Sequence, residues 1–206
     1  MRIPVLREVA DVAPAVPAPK SARYWVVPVV RAVIALIAAA VITFTRDAHT
    51  AQFGLIVFGV FAVLEGAVLV LSSLRTLADR LTRKLFLVQG AIGVLAGVLA
   101  LALSGSGLGL YLFVVSVWAA LTGFLELYSG LRSRTKDGAA RDWIVTGALT
   151  AVLALTFLLI PSDAILAIGL FGAWAVIVGV FQAIGGASLR ASARGATAEH
   201  NVGSGS

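Results

Sequence analysis

The chain has 206 residues, 60% of them hydrophobic and 13% charged, with no cysteine and a net charge of +6. Soluble domains run at about 45–50% apolar and about 25% charged, so the composition, with a mean hydropathy of +1.00, excludes an ordinary soluble domain. Without cysteine there is no disulfide, thiol redox centre, iron–sulfur cluster or Cys-type zinc site, and two histidines leave little for any other metal centre.

Residues 1–24 hold Pro4, Pro14, Pro17 and Pro19, which disfavour helix and packed strand. We read a disordered tail. It lacks the small-residue cleavage pattern of a signal peptide. Six apolar segments follow, at 25–44, 51–72, 85–103, 107–130, 143–160 and 163–187. Each approaches the ~20 residues that cross a ~30 Å hydrocarbon core, and in lipid each must be a helix, so that every backbone group is paired. The runs are continuously apolar and do not alternate, which excludes a β-barrel. Ser162 is expected to cap the sixth helix, with Asp163 favoured by the helix dipole. Gly105, Gly107 and Gly109 read as a tight turn and not as a phosphate loop, because no Lys-Ser/Thr follows them. Residues 191–206 are small and polar, a second disordered tail.

The connectors at 45–50, 104–106 and 161–162 are short, and those at 73–84 and 131–142 are longer and basic. The expected fold is therefore all-α. A six-helix transmembrane domain at 25–190 consists of three tandem hairpins, 25–72, 85–130 and 143–187. With six crossings, Arg2, Arg7, Lys20, Arg23, Arg75, Arg80, Arg83, Lys84, Arg132, Arg134, Lys136, Arg141, Arg190 and Arg194 share one side, and only Arg46 lies on the other. By the positive-inside rule both termini are cytoplasmic. Topology thus accounts for the basic charge, and no nucleic-acid partner is expected. The bilayer is the expected surrounding, with a homo-oligomer or other membrane proteins as further partners.

The second helix of each hairpin repeats. Gly59 to Gly66, Ser116 to Gly123 and Gly172 to Gly179 share a pattern of small residue, aromatic, Ala and Gly, with periods of 57 and 56 residues. Gly66, Gly123 and Gly179 form one column, expected to be a packing contact because small residues let helices approach in lipid. Phe61, Trp118 and Trp174 form another, expected to pack mid-helix. More loosely, Gly90, Gly93 and Gly97 align with Gly147, Thr150 and Ala154, and with Ala32, Ala35 and Ala39. Units of two spans share one orientation, which implies a pseudo-threefold axis along the membrane normal.

These repeats, with Leu74-Arg75, Leu131-Arg132 and Leu189-Arg190 closing each hairpin, resemble the HdeD-type short-repeat membrane proteins. The third repeat is closest, through Thr146-Gly147-Ala148-Leu149, Leu159-Ile160-Pro161-Ser162 and Gly179-Val180-Phe181-Gln182. The first two lack the turn proline. The resemblance spans roughly residues 25–190. It implies an integral protein of the bacterial cytoplasmic membrane, associated in some members with acid resistance or envelope stress, and it brings no catalytic residues or cofactor.

Charges inside the membrane carry the remaining chemistry. Arg31 and Glu65 each lie roughly 10 Å deep from the cytoplasmic side at ~1.5 Å per residue, and Glu126 is shallower. A charge in a span costs at least ~2.5–3.5 kcal/mol and usually faces the bundle interior or a cavity. Glu65 aligns with Thr122 and Val178, and Glu126 aligns with Leu69 and Gln182. These columns are four residues apart and share a helix face. Arg31, Gln89 and Thr146 hold equivalent places on the odd helices. The expected cluster is Arg31, Glu65, Gln89, Thr122, Glu126 and Gln182 in the cytoplasmic half. An Arg31–Glu65 pair that locks two helices, an ion or proton relay, and snorkelling of Arg31 all stay open. Outside, Arg46, Asp47, His49 and Asp163 are the polar groups, and His49 reads as a loop residue. No catalytic constellation stands out. A non-enzymatic stress protein is expected, with a small transporter or channel and an assembly scaffold as alternatives.

Overall fold

Lipid leaves these segments no alternative to helix, and a computed structural model, which describes residues 24–76, 79–134 and 139–203, has a helix in each. The helices are α1 (Val26–Phe44), α2 (Ala51–Thr76), α3 (Arg80–Ala102), α4 (Leu108–Ser133), α5 (Ala140–Leu159) and α6 (Ala164–Gly203). A short 3-10 turn, Arg46–Ala48, joins α1 to α2. All six helices are long and apolar enough to cross a membrane, and only 33–50% of each apolar window is buried within the protein. The remaining faces carry Ile37, Leu95, Phe113, Phe124, Leu155 and Leu158, all exposed. Such outward surface is stable only against hydrocarbon.

The helix ends differ from the hydropathy limits where polar chemistry supplies a cap. α3 begins at Arg80, five residues early, because the Asp79 carboxylate accepts the Thr82 N–H at 2.8 Å and the Thr82 hydroxyl at 2.7 Å. α6 is capped by Asp163 and not by the expected Ser162, since Asp163 Oδ1 accepts the Leu166 N–H at 2.8 Å. Only there does the side chain reach the third N–H of the helix. Gly107, at φ 88°, makes the turn into α4. α6 continues to Gly203, through residues expected as a tail. Ala191, Ala193, Ala196 and Ala198 recur there, and alanine has the highest helix propensity. The expected N-terminal tail (1–23) and residues 204–206 lie outside the described residues, as do 77–78 and 135–138.

The closest helix pairs are α4 with α5, α2 with α3, and α1 with α6. They are not the hairpin partners. Glycines explain why. A Cβ on Gly66 would sit 2.5 Å from Gly90 O, and one on Gly123 would sit 2.8 Å from Ala151 N and 3.0 Å from Gly147 O. At both contacts backbone meets backbone across a basic connector. A Cβ on Gly179 would meet Leu36 Cγ at 2.8 Å and Ala32 O at 3.3 Å, so this third contact includes a side chain that can move.

The core lies among α2, α4 and α6. Phe61, Trp118 and Trp174 pack edge to face, with ring centroids 5.7, 5.7 and 5.6 Å apart and interplanar angles of 86–90°. Such pairs contribute about 0.5–1.5 kcal/mol each beyond their buried area. Phe58 and Phe171 join them, 5.3 Å from Trp118 and 5.4 Å from Phe61 respectively. This aromatic layer closes the bundle centre.

Candidate functional site: a buried arginine between two glutamates

Arg31 is on the second turn of α1, at the end of the bundle that carries the basic connectors. Its guanidinium is buried and forked. Nε donates to Glu65 Oε1 at 2.8 Å, and Nη1 donates to Glu126 Oε1 at 2.9 Å. One cation thus ties α1 to α2 and to α4. Gln89, from α3, donates its amide to Glu126 Oε2 at 3.2 Å. Four helices meet at this point. Arg31, Glu65, Gln89 and Glu126 are 8%, 7%, 3% and 2% exposed, so the protein encloses the cluster.

The other two candidates are placed differently. Thr122 is buried beside the cluster, but its hydroxyl donates to Trp118 O within α4 at 2.7 Å. Gln182, on α6, is buried with neither amide atom bonded. It faces a second space and does not touch the carboxylates through a hydrogen bond.

Two small cavities flank Arg31. The inner one has room of about 20 Å³ for water centres and is lined by Glu65, Gln89, Thr122, Glu126, Trp118 and Trp174, among others. The outer one, of about 30 Å³, is lined by Tyr24, Arg31, Glu126, Asp142, Thr146 and Gln182, among others. About 10–15 Å³ in this measure is enough for one water. Glu65 Oε2, Gln89 Oε1 and Trp174 Nε1 are buried without a hydrogen-bond partner among the described residues. At the basic end, Trp143 Nε1 donates to the Tyr24 hydroxyl at 3.1 Å, and Phe86 packs edge-on to Trp143 at 5.0 Å. Burial pushes the Tyr24 hydroxyl well above its ordinary range. Arg190 lies over the Trp25 ring at 4.7 Å.

Sequence reasoning left Tyr24 in a tail and Asp142 in a connector, so the outer cavity was missed. The signal available was Tyr24-Trp25 and Asp142-Trp143, each a tryptophan beside a polar residue near the start of a helix. At the opposite end, His49 Nε2 lies 2.9 Å from Ile42 O and the ring stacks on Phe53 at 5.8 Å. This ties the loop to α1. Asp47 is exposed, and the Arg46 side chain lies outside the described residues. Among the described residues no three His, Asp or Glu side chains group as metal ligands.

Fold and site together define a polytopic α-helical membrane protein with an ionic cluster inside the bundle. The chain belongs to the short-repeat family of unknown function DUF308, which matches residues 30–102 and 88–159; this family contains the HdeD-type proteins. The two matches are displaced by 58 residues at their starts and 57 at their ends, in keeping with the internal period. They stop at the end of α5, so most of the third repeat, where the resemblance was drawn most closely, lies beyond them. No curated protein and no solved structure matches the chain.

Proposed function

We propose that this protein is a non-enzymatic, HdeD-like component of the bacterial cytoplasmic membrane, with both termini cytoplasmic and three hairpins about a pseudo-threefold axis, and that it serves acid or envelope-stress tolerance. The observation that carries this reading is the single guanidinium shared by two carboxylates inside an apolar bundle. Two carboxyls and one guanidinium are electroneutral with one proton aboard and carry one negative charge without it. In a low-dielectric interior that difference is large. Acid therefore acts on the contacts that hold α1, α2 and α4 together, and the cluster couples proton supply to helix packing.

Transport is the second reading, favoured by the two cavities and their unpartnered polar atoms. The aromatic layer of Phe61, Trp118 and Trp174 stands against an open pore. Survival of a deletion strain after an acid shift, complemented with wild type or Glu65→Gln, tests the main reading. We expect the wild type to restore survival and the variant, present at equal level in the membrane, to fail. Unchanged survival of the deletion strain across acid and other envelope stresses overturns it. Proton flux in proteoliposomes that is abolished by Glu65→Gln replaces it with the transport reading.

A further inference from the structure

The inner cavity is matched to one molecule. Three buried polar atoms on its lining residues lack a partner among the described residues: the acceptors Glu65 Oε2 and Gln89 Oε1, and the donor Trp174 Nε1. A water molecule has two donors and can accept from a third group. It complements this set, and the space of about 20 Å³ exceeds the about 10–15 Å³ one water requires. No larger ligand fits the volume.

The surroundings make access one-sided. The outer cavity shares Arg31, Glu126 and Thr146 with the inner one, and its walls extend through Gln182 to Tyr24 and Asp142 at the basic end. Both Gln182 amide atoms are buried without partners, which suits a second water. Toward the opposite end, Trp118 and Trp174 wall the inner cavity and pack against Phe61 and Phe171. The buried polar residues further along α4 on that side, Ser116 and Tyr111, do not line the cavity.

We propose that the inner cavity is a binding site for one water, held by Glu65, Gln89 and Trp174, and that it forms the blind end of a short water file open only to the basic, cytoplasmic end of the bundle. The cluster consequently reads cytoplasmic acid and not the acid outside. The inference rests on the acid-responsive reading above and adds its direction. The transfer is simple: a hydronium in the file gives its proton to the Glu65 carboxylate and remains as water. The charged or titratable groups facing this space are Arg31 from α1, Glu65 from α2, Glu126 from α4 and Asp142 from α5, with Tyr24 just before α1. α3 and α6 contribute the neutral Gln89 and Gln182.

Inside-out and right-side-out membrane vesicles holding the full chain provide the test, with infrared difference spectra recorded after a pH step in the bath. The carbonyl band of a protonated carboxyl should appear at once in inside-out vesicles. In right-side-out vesicles it should appear only after a protonophore equilibrates the lumen. Glu65→Gln should remove or shift the band, and Gln182→Leu, which removes the amide lining the outer cavity while leaving the ionic cluster, should slow it. Should Glu65→Gln fail to fold, Gln182→Leu and the two vesicle orientations decide alone. An immediate response in right-side-out vesicles overturns the one-sided file while leaving the acid-responsive cluster standing. No band in either orientation, even with protonophore, overturns both. An experimental density map without a water between Glu65, Gln89 and Trp174 removes the binding site itself.

Discussion

Removing the guanidinium should be the most damaging single change in the ionic cluster. Arg31→Leu deletes both charged hydrogen bonds, at 2.8 and 2.9 Å, and strands two carboxylates that are 7% and 2% exposed. Breaking a buried pair by removing one partner costs about 3–5 kcal/mol. Glu126→Gln should cost less, because the amide can still accept from Arg31 and remain near Gln89, and charged hydrogen bonds contribute about 1.5–3 kcal/mol. Glu65→Gln should be mildest, since Glu65 makes one bond to protein and Oε2 makes none. The triple variant Arg31→Leu, Glu65→Leu, Glu126→Leu removes every charge together. Buried ionic groups replaced by packed apolar ones are often neutral or stabilised by about 1–4 kcal/mol. Unfolding in mixed micelles at neutral pH would read the series. The order Arg31, Glu126, Glu65, with recovery in the triple variant, is expected. An Arg31→Leu protein within about 0.5 kcal/mol of wild type would refute a load shared by this cluster.

The helix contacts give a second series. Gly66→Ala and Gly123→Ala should each lose about 1–3 kcal/mol by overpacking, since the added methyl meets backbone, while Gly179→Ala should lose less because Leu36 can move; equal losses would contradict the packing. Trp118→Ala should cost about 3–5 kcal/mol and, by opening the aromatic layer, let protons cross in a vesicle leak assay where wild type does not. Burial raises the Tyr24 hydroxyl above its ordinary value of 10.0, so the folded state favours the neutral phenol. That stability is complete below about pH 10 and declines as pH rises further. Tyr24→Phe should flatten this alkaline slope in a pH series of unfolding midpoints.

The six spans were legible because lipid imposes one length and one backbone solution on each segment. Arg31, Glu65 and Glu126 also stand out in the sequence, because charge inside an apolar run is costly wherever it falls. Hydropathy does not say which helices touch. The tight pairs α2 with α3 and α4 with α5 cross the basic connectors, and their cause is backbone contact at Gly66, Gly90, Gly123 and Gly147. A repeat alignment marks those glycines without naming their partners. Arg31 was read against Glu65 through hairpin adjacency, whereas its bond to Glu126 joins residues 95 positions apart in sequence and depends on the closed bundle. Helix ends needed side-chain detail, namely Asp79 on α3 and Asp163 on α6. The outer cavity stayed hidden because Tyr24 precedes the first span and is buried by residues distant in sequence, Leu69, Phe86 and Trp143.

Nitrogen–carbon correlation by solid-state NMR on the protein in bilayers tests the centre of this account most directly. With arginine nitrogens and glutamate carboxyl carbons labelled, Arg31 should correlate with both Glu65 and Glu126 at neutral pH, and acidification should weaken at least one of the two signals. An Arg31 that correlates with neither carboxyl and exchanges freely with water, or a pattern that acid leaves unchanged, would contradict it.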